Sequence, residues 1–211
     1  MGLAKADSGF GGLLTGAQDV GFHVENAISV KEYAYTEDKN RQFRPEMEDT
    51  HCHADRLNGD ESCGLFAVFD GHGGKQVAEF CAETFALEPR KELQKQPQDL
   101  YGPLENVYTR LDAQLGMIDS DHCGSTACTA VVRREINHNV LYVANVGDTR
   151  AVLSKNGQAE RLSKDHKATD ATEIERVKAA GGSIMENRVA GGLAITRAFG
   201  DHAYKSFGVT A

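Results

Sequence analysis

Leu65-Phe66-Ala67-Val68-Phe69-Asp70-Gly71-His72-Gly73-Gly74 is the most informative stretch of this chain. Five consecutive apolar residues predict a strand buried on both faces. The strand ends on a carboxylate, and loops that leave strand ends are where rigid scaffolds place reactive groups. Asp70 offers oxygen to a hard cation. Gly71 has no Cβ, so its own carbonyl can approach as well. His72 titrates near neutral pH without help. Metal-assisted hydrolysis is the reaction class this combination suggests.

On the N-terminal side, Val30–Thr36 is rich in Val, Tyr and Thr and predicts a strand, with Thr50–Ala54 as its partner. Residues 1–29, with Gly9, Gly11, Gly12, Gly16 and Gly21, read as a loosely docked arm, and 30–211 as one domain. On the C-terminal side, Val77, Phe80, Cys81, Thr84 and Phe85 recur at helical spacing, and Pro89 stops that helix. A polar connection through Gln94–Asp99 follows. A second helix opens near Pro103, with Leu104, Val107, Tyr108, Leu111 and Leu115 as its apolar stripe.

The period then changes to that of strands at Thr126–Val132 and Val140–Val146. Arg150–Leu153 and Ala159–Leu162 flank Asn156-Gly157, a hairpin signal. A third helix starts at Ala171, with Asp170 as N-cap, Glu173 completing a capping box, and Gly181-Gly182 as the stop. Strands, two helices and then hairpins predict an α+β domain rather than a βαβ array.

The chain has 211 residues, enough for one sizeable core. Its 23 Lys and Arg against 31 Asp and Glu give a net charge of −8, which argues against nucleic acid or an anionic membrane as partner. The five cysteines (Cys52, Cys63, Cys81, Cys123, Cys128) form no CxxC pair, and no secretory leader pattern opens the chain. A reducing compartment, cytoplasm or nucleus, is the expected setting, and a monomer the expected state. Met1-Gly2 resembles a myristoylation start, but Ala6 stands where Ser or Thr is wanted.

Four clusters set polar groups beside apolar strands: Arg44-Pro45-Glu46-Met47-Glu48-Asp49, Asp70-Gly71-His72, Asn145-Val146-Gly147-Asp148-Thr149-Arg150 and Arg197-Ala198-Phe199-Gly200-Asp201. Taken singly, each is also compatible with turn punctuation or a solvated strand entry. Together they hold carboxylates, cationic partners for phosphate and a histidine, the parts of a hydrolytic site. Cys128 and Arg134 stand at C-x₅-R spacing, yet the apolar residues between them contain no glycine to wrap a phosphate. His51 and His53 share one face of a strand with no third ligand nearby and read as surface histidines; Cys52 and Cys63 read as packing residues.

The clusters, in order, resemble metal-dependent protein phosphatases of the PP2C (PPM) type. The resemblance also takes in Cys123-Gly124-Ser125-Thr126-Ala127, Asp165-His166-Lys167, Ala180-Gly181-Gly182-Ser183 and Leu193–Asp201, and covers about residues 30–205. It implies a PP2C-like β-sandwich of two antiparallel sheets flanked by helices. It implies a protein serine/threonine phosphatase acting on phosphoproteins by direct attack of a metal-bound hydroxide at a two-metal site, with Mg²⁺ or Mn²⁺. Asp70 would bridge both ions, with the Gly71 carbonyl and Glu48 as further ligands and Asp49 orienting bound waters. Asp148 would hold a third, weaker ion. Arg44 would grip the phosphate, and His72 would protonate the leaving oxygen. Arg197 and the segment Asp165–Val189 would form a flap that affects substrate choice.

The family pattern continues past Asp201 with two further aspartates and with strands that this chain does not contain, so the domain is expected to be incomplete at its C-terminus. The alternative from another class is a non-catalytic module that uses the same groove to hold phosphoprotein. A small-molecule phosphoesterase is a third reading.

Overall fold

The structure, a computed structural model, describes residues 21–85, 87, 88, 92, 100–118 and 120–211. The stretch 1–20 of the expected arm, the helix stop at Pro89 and the connection 94–99 lie outside the described residues. Where the glycine-rich arm is described it holds a strand: β1 (Gly21–Asn26) pairs antiparallel with β2 (Glu32–Glu37), so the strand expected at Val30–Thr36 takes its partner from the arm and not from Thr50–Ala54.

The central sheet is antiparallel in the order β3 (Thr50–Ala54), β4 (Cys63–Phe69), β7 (Ala127–Arg134), β8 (Asn139–Val146). Among the described residues there are four smaller sheets, one of them the pair β11 (Ile184–Met185) and β12 (Arg188–Val189), and the class is α+β as expected, with antiparallel sheets flanked by helices. β4 is buried on both faces, as its unbroken apolar run predicts. On one face Leu65, Ala67 and Phe69 join the main core. On the other, Phe66 packs on the Tyr33 ring at 5.3 Å, and Gly64 makes room for Ser29, whose Oγ would lie 2.2 Å from a Cβ there.

Two helices cover the core face. α1 (Gln76–Phe85) buries Val77, Ala78, Cys81 and Phe85. α2 (Tyr101–Leu115) buries the stripe Leu104, Val107, Tyr108, Leu111 and Leu115. Rings run from sheet to helices in a series: Phe69 on Phe85 at 5.6 Å, Phe85 on Tyr108 at 5.6 Å, Tyr108 on Phe199 at 5.1 Å. Such offset and edge-on contacts add to plain apolar burial. The Tyr108 hydroxyl stays satisfied inside the core, donating to the Ala144 carbonyl at 3.0 Å.

β9 (Val152–Lys155) and β10 (Gln158–Arg161) form the expected hairpin, shifted slightly from the sequence bounds. Its turn residues Asn156 and Gly157 both take positive φ, 53° and 78°, the conformation a two-residue turn of this hand requires. α3 (Ala171–Ala179) is capped by Asp170, whose carboxylate accepts from the Thr172 and Glu173 amides. It ends at Gly181 (φ 86°), where the Gly182 and Gly181 amides close onto Val177 and Lys178.

The capping box expected of Glu173 is overturned. Its carboxylate is buried at 4% exposure and binds Arg176, Arg197 and Thr196 instead, because two guanidiniums and a hydroxyl outcompete a single amide. This network ties α3 to a second, smaller core of Ala168, Val177, Val189, Ile195, Ala198 and Val209.

Candidate active site

A small three-stranded sheet brings the end of β4 to its partners. β5 (Gly71–His72) and β13 (Phe199–Gly200) flank β6 (Gly124–Ser125), so Gly124 stands opposite both His72 and Gly200. Across this sheet His72 Nε2 meets Asp201 Oδ2 at 2.7 Å, although 129 positions separate them in sequence. Gly124 is required there: a Cβ on it would lie 2.3 Å from Asp201 Oδ2 and 2.6 Å from His72 Nε2.

The carboxylates gather beside this pair. Glu48 Oε1 accepts from the Gly74 amide at 2.7 Å, which anchors the segment before β3 to the glycine loop. Gly71 lies against the Glu48 backbone carbonyl, 2.3 Å from where a Cβ would sit. The Asp70 carbonyl accepts from the Thr126 amide at 2.9 Å, and Thr126 is hydrogen-bonded to Thr149, which fixes the Asp148 loop next to the end of β4.

Asp70 is reached by solvent but stands in a crowded rim. Lost hydration there, together with the charges of Asp49 and Asp148, pushes its carboxyl up to about 6. His72 is also shifted. Burial of the ring works against its charge, but the hydrogen bond and charge of Asp201, with Asp70 and Glu48 behind them, outweigh burial and raise its pKa.

Glu48, Asp49, Asp70, Gly71, His72 and Asp148 are thus brought together. Asp148 is not free, since Lys167 Nζ lies 3.0 Å from its Oδ2. Arg44 sits in the exposed turn before Glu48, its amide bonded to the Asn40 carbonyl at 3.0 Å. Arg197 is drawn into the Glu173 network, with Nη2 2.6 Å from Glu173 Oε1. His51 and His53 bind Glu37 and Tyr33, at 2.9 and 2.6 Å. Cys128 is a buried core thiol raised to about 11 by lost hydration, while Arg134 reaches the Glu61 carbonyl at the far end of β7. Neither arrangement makes a site.

Among the described residues, no three His, Cys, Asp or Glu side chains form a closed metal cage. The donor chemistry still fits a hydrated divalent cation. Mg²⁺ keeps several waters and takes only one or two carboxylates from a protein. A cation would also relieve the repulsion that raises Asp70. The sequence does not single out Asp201 as the partner of His72 or Lys167 as the partner of Asp148. The only trace is their place in polar clusters beside short strands.

Fold and site define a class: an α+β domain of antiparallel sheets with an acidic rim beside a histidine–carboxylate pair. Residues 33–211 match the model of the protein phosphatase 2C family, and the chain belongs to that family. It is 40% identical to protein phosphatase 2C homolog 1 of Schizosaccharomyces pombe over 169 residues, covering 78% of this chain and 49% of the relative. It is 37% identical to protein phosphatase 2C homolog 1 of Saccharomyces cerevisiae, covering 81% and 66%. The chain therefore spans about half to two thirds of the length of these curated relatives. Among solved structures, it is similar to a phosphatase of Toxoplasma gondii at a TM-score of 0.62 and 26% identity, covering 78% of this chain and 63% of that one. It shares its fold with a Caenorhabditis elegans sex-determining protein at a TM-score of 0.69 and 23% identity, covering 90% and 46%.

Proposed function

We propose that this chain carries the catalytic centre of a protein serine/threonine phosphatase that hydrolyses phosphoserine and phosphothreonine in phosphoproteins. The observation that carries the reading is the convergence of Glu48, Asp70, Gly71 and Asp148 on one rim beside the His72–Asp201 pair. Membership of the protein phosphatase 2C family supports the same activity.

Asp70, the Gly71 carbonyl and Glu48 would hold Mg²⁺ or Mn²⁺ at a two-metal site, with Asp148 facing a third, weaker ion. Bound there, the cations would supply a water acidic enough to attack at neutral pH and would neutralise phosphoryl charge. Asp49 orients water beside Asp70. Arg44, exposed four residues before Glu48, would offer a planar fork to the phosphate oxygens. His72 gives a proton to the departing seryl or threonyl oxygen as the P–O bond breaks, and the proton released by the attacking water restores the ring. Water and phosphomonoester become alcohol and inorganic phosphate, with no phosphoenzyme.

Five cysteine thiols, four of them buried, suit a reducing compartment such as cytoplasm or nucleus. Among the described residues, no helix is long and apolar enough to cross a membrane.

The test is release of inorganic phosphate from a phosphothreonine peptide by the 211-residue chain. Turnover in Mn²⁺ that is abolished by EDTA and by Asp70→Asn is expected. Turnover that persists in EDTA would overturn the reading.

A further inference from the structure

We propose that Asp201 is the positioning residue of His72, fixing which ring nitrogen faces the substrate; this rests on the reading of His72 as the proton donor. An ionised carboxylate can only accept, so the 2.7 Å contact requires that Nε2 carry hydrogen. Nδ1 is then the nitrogen left for the leaving oxygen. In the proton-transfer step the electron pair of the breaking P–O bond goes to the oxygen, which takes the Nδ1 proton. The ring becomes neutral and keeps its Nε2 proton on Asp201.

The surroundings of Asp201 argue against a purely structural role. It precedes α4 (His202–Lys205) at the N-cap, where aspartate ordinarily accepts from the helix amides, yet its side chain makes no cap hydrogen bond. It points instead to His72. Asp201 is 1% exposed and adopts left-handed backbone (φ 51°), which Asp and Asn take more readily than other non-glycine residues and which is found where surrounding structure over-determines it. That surrounding is visible on every side. The Asp201 amide donates to the Cys123 carbonyl at 3.0 Å, and the Tyr204 amide donates to the Asp201 carbonyl at 2.8 Å. Next to it, the Gly200 amide donates to Asp112 Oδ1 at 2.9 Å, and the other oxygen of Asp112 binds Lys205 at 2.7 Å. α2, β6 and β13 thus hold one carboxylate still, and the missing Cβ at Gly124 leaves space for its bond to the ring.

The experiment compares wild type, Asp201→Asn, Asp201→Ala, His72→Gln and the double variant Asp201→Asn/His72→Gln in Mn²⁺ on two substrates. A phosphothreonine peptide has a poor leaving group that needs the proton; p-nitrophenyl phosphate has a good one that does not. Asn tolerates left-handed backbone and preserves size, so the fold is kept. Asp201→Asn should lower kcat on the peptide by about 10- to 100-fold with KM little changed, and on p-nitrophenyl phosphate by less than about 3-fold. The double variant should be no slower than His72→Gln alone.

Equal losses on both substrates, or no loss from Asp201→Asn where His72→Gln is selectively slowed, would overturn the proposal. Without selectivity in His72→Gln the proton-donor reading itself falls. Imidazole ¹⁵N NMR of the metal-free chain tests the pair independently of turnover. A single tautomer protonated at Nε2 that becomes a mixture in Asp201→Ala supports the proposal, and a His72 signal indifferent to Asp201→Ala refutes it.

Discussion

Asp70 combines two demands that conflict at the scale of a residue. Its place at the end of a buried strand strips it of hydration and fixes it beside Asp49 and Asp148, and together these raise its carboxyl to about 6 from the ordinary 3.8. The folded state therefore binds more protons than the unfolded one between these values. Stability falls as pH rises through that window. Asp70→Asn removes the repelling charge, so the metal-free variant should melt higher than wild type at pH 7 and should lose that advantage below about pH 4. A lower melting temperature for the variant at pH 7 would contradict the crowded-rim account. Asp70 and His72 are legible in the sequence because a carboxylate and an imidazole among glycines after an apolar run have few purely structural uses. Asp201 is not, since its partner lies 129 positions away and only the pairing of β5, β6 and β13 joins them.

Elements show the same division between local and distant causes. The apolar run of β4 and the stripe of α2 announce themselves because burial imposes a period on the sequence. Asn156-Gly157 announces its hairpin because few residues accept two successive positive φ angles. Local rules mislead at β1, where glycines suggest a loose arm but pairing with β2 orders the backbone. They mislead again at Glu173, whose spacing from Asp170 fits a capping box while Arg176 and Arg197 claim its carboxylate. Burial opposes the Glu173 charge, but these two guanidiniums and Thr196 more than offset it and hold the carboxyl far below its usual range. The stability it contributes is present above its ordinary pKa of 4.5 and is lost as pH falls. Glu173→Gln would leave two half-buried guanidiniums without their carboxylate and should destabilise the segment around the smaller core by about 1–3 kcal/mol. Thermal melting with hydrogen exchange across residues 165–211 would detect it. Unchanged exchange there would mean the network contributes little.

For the whole molecule, the central sheet and its two helices share one core below the acidic rim, while the segment around the smaller core supplies Lys167 to Asp148. The ordered motifs place the chain in its family without coordinates, but the mutual geometry of the rim depends on long-range packing. The measurement that tests the account most directly is calorimetric titration of the metal-free chain with Mn²⁺ at neutral pH, wild type against Asp70→Asn. Saturable binding in wild type, with binding lost in the variant, is the predicted result. Equal Mn²⁺ uptake by both proteins, or none by either while both are folded, would contradict the claim that this rim is built to hold catalytic cations.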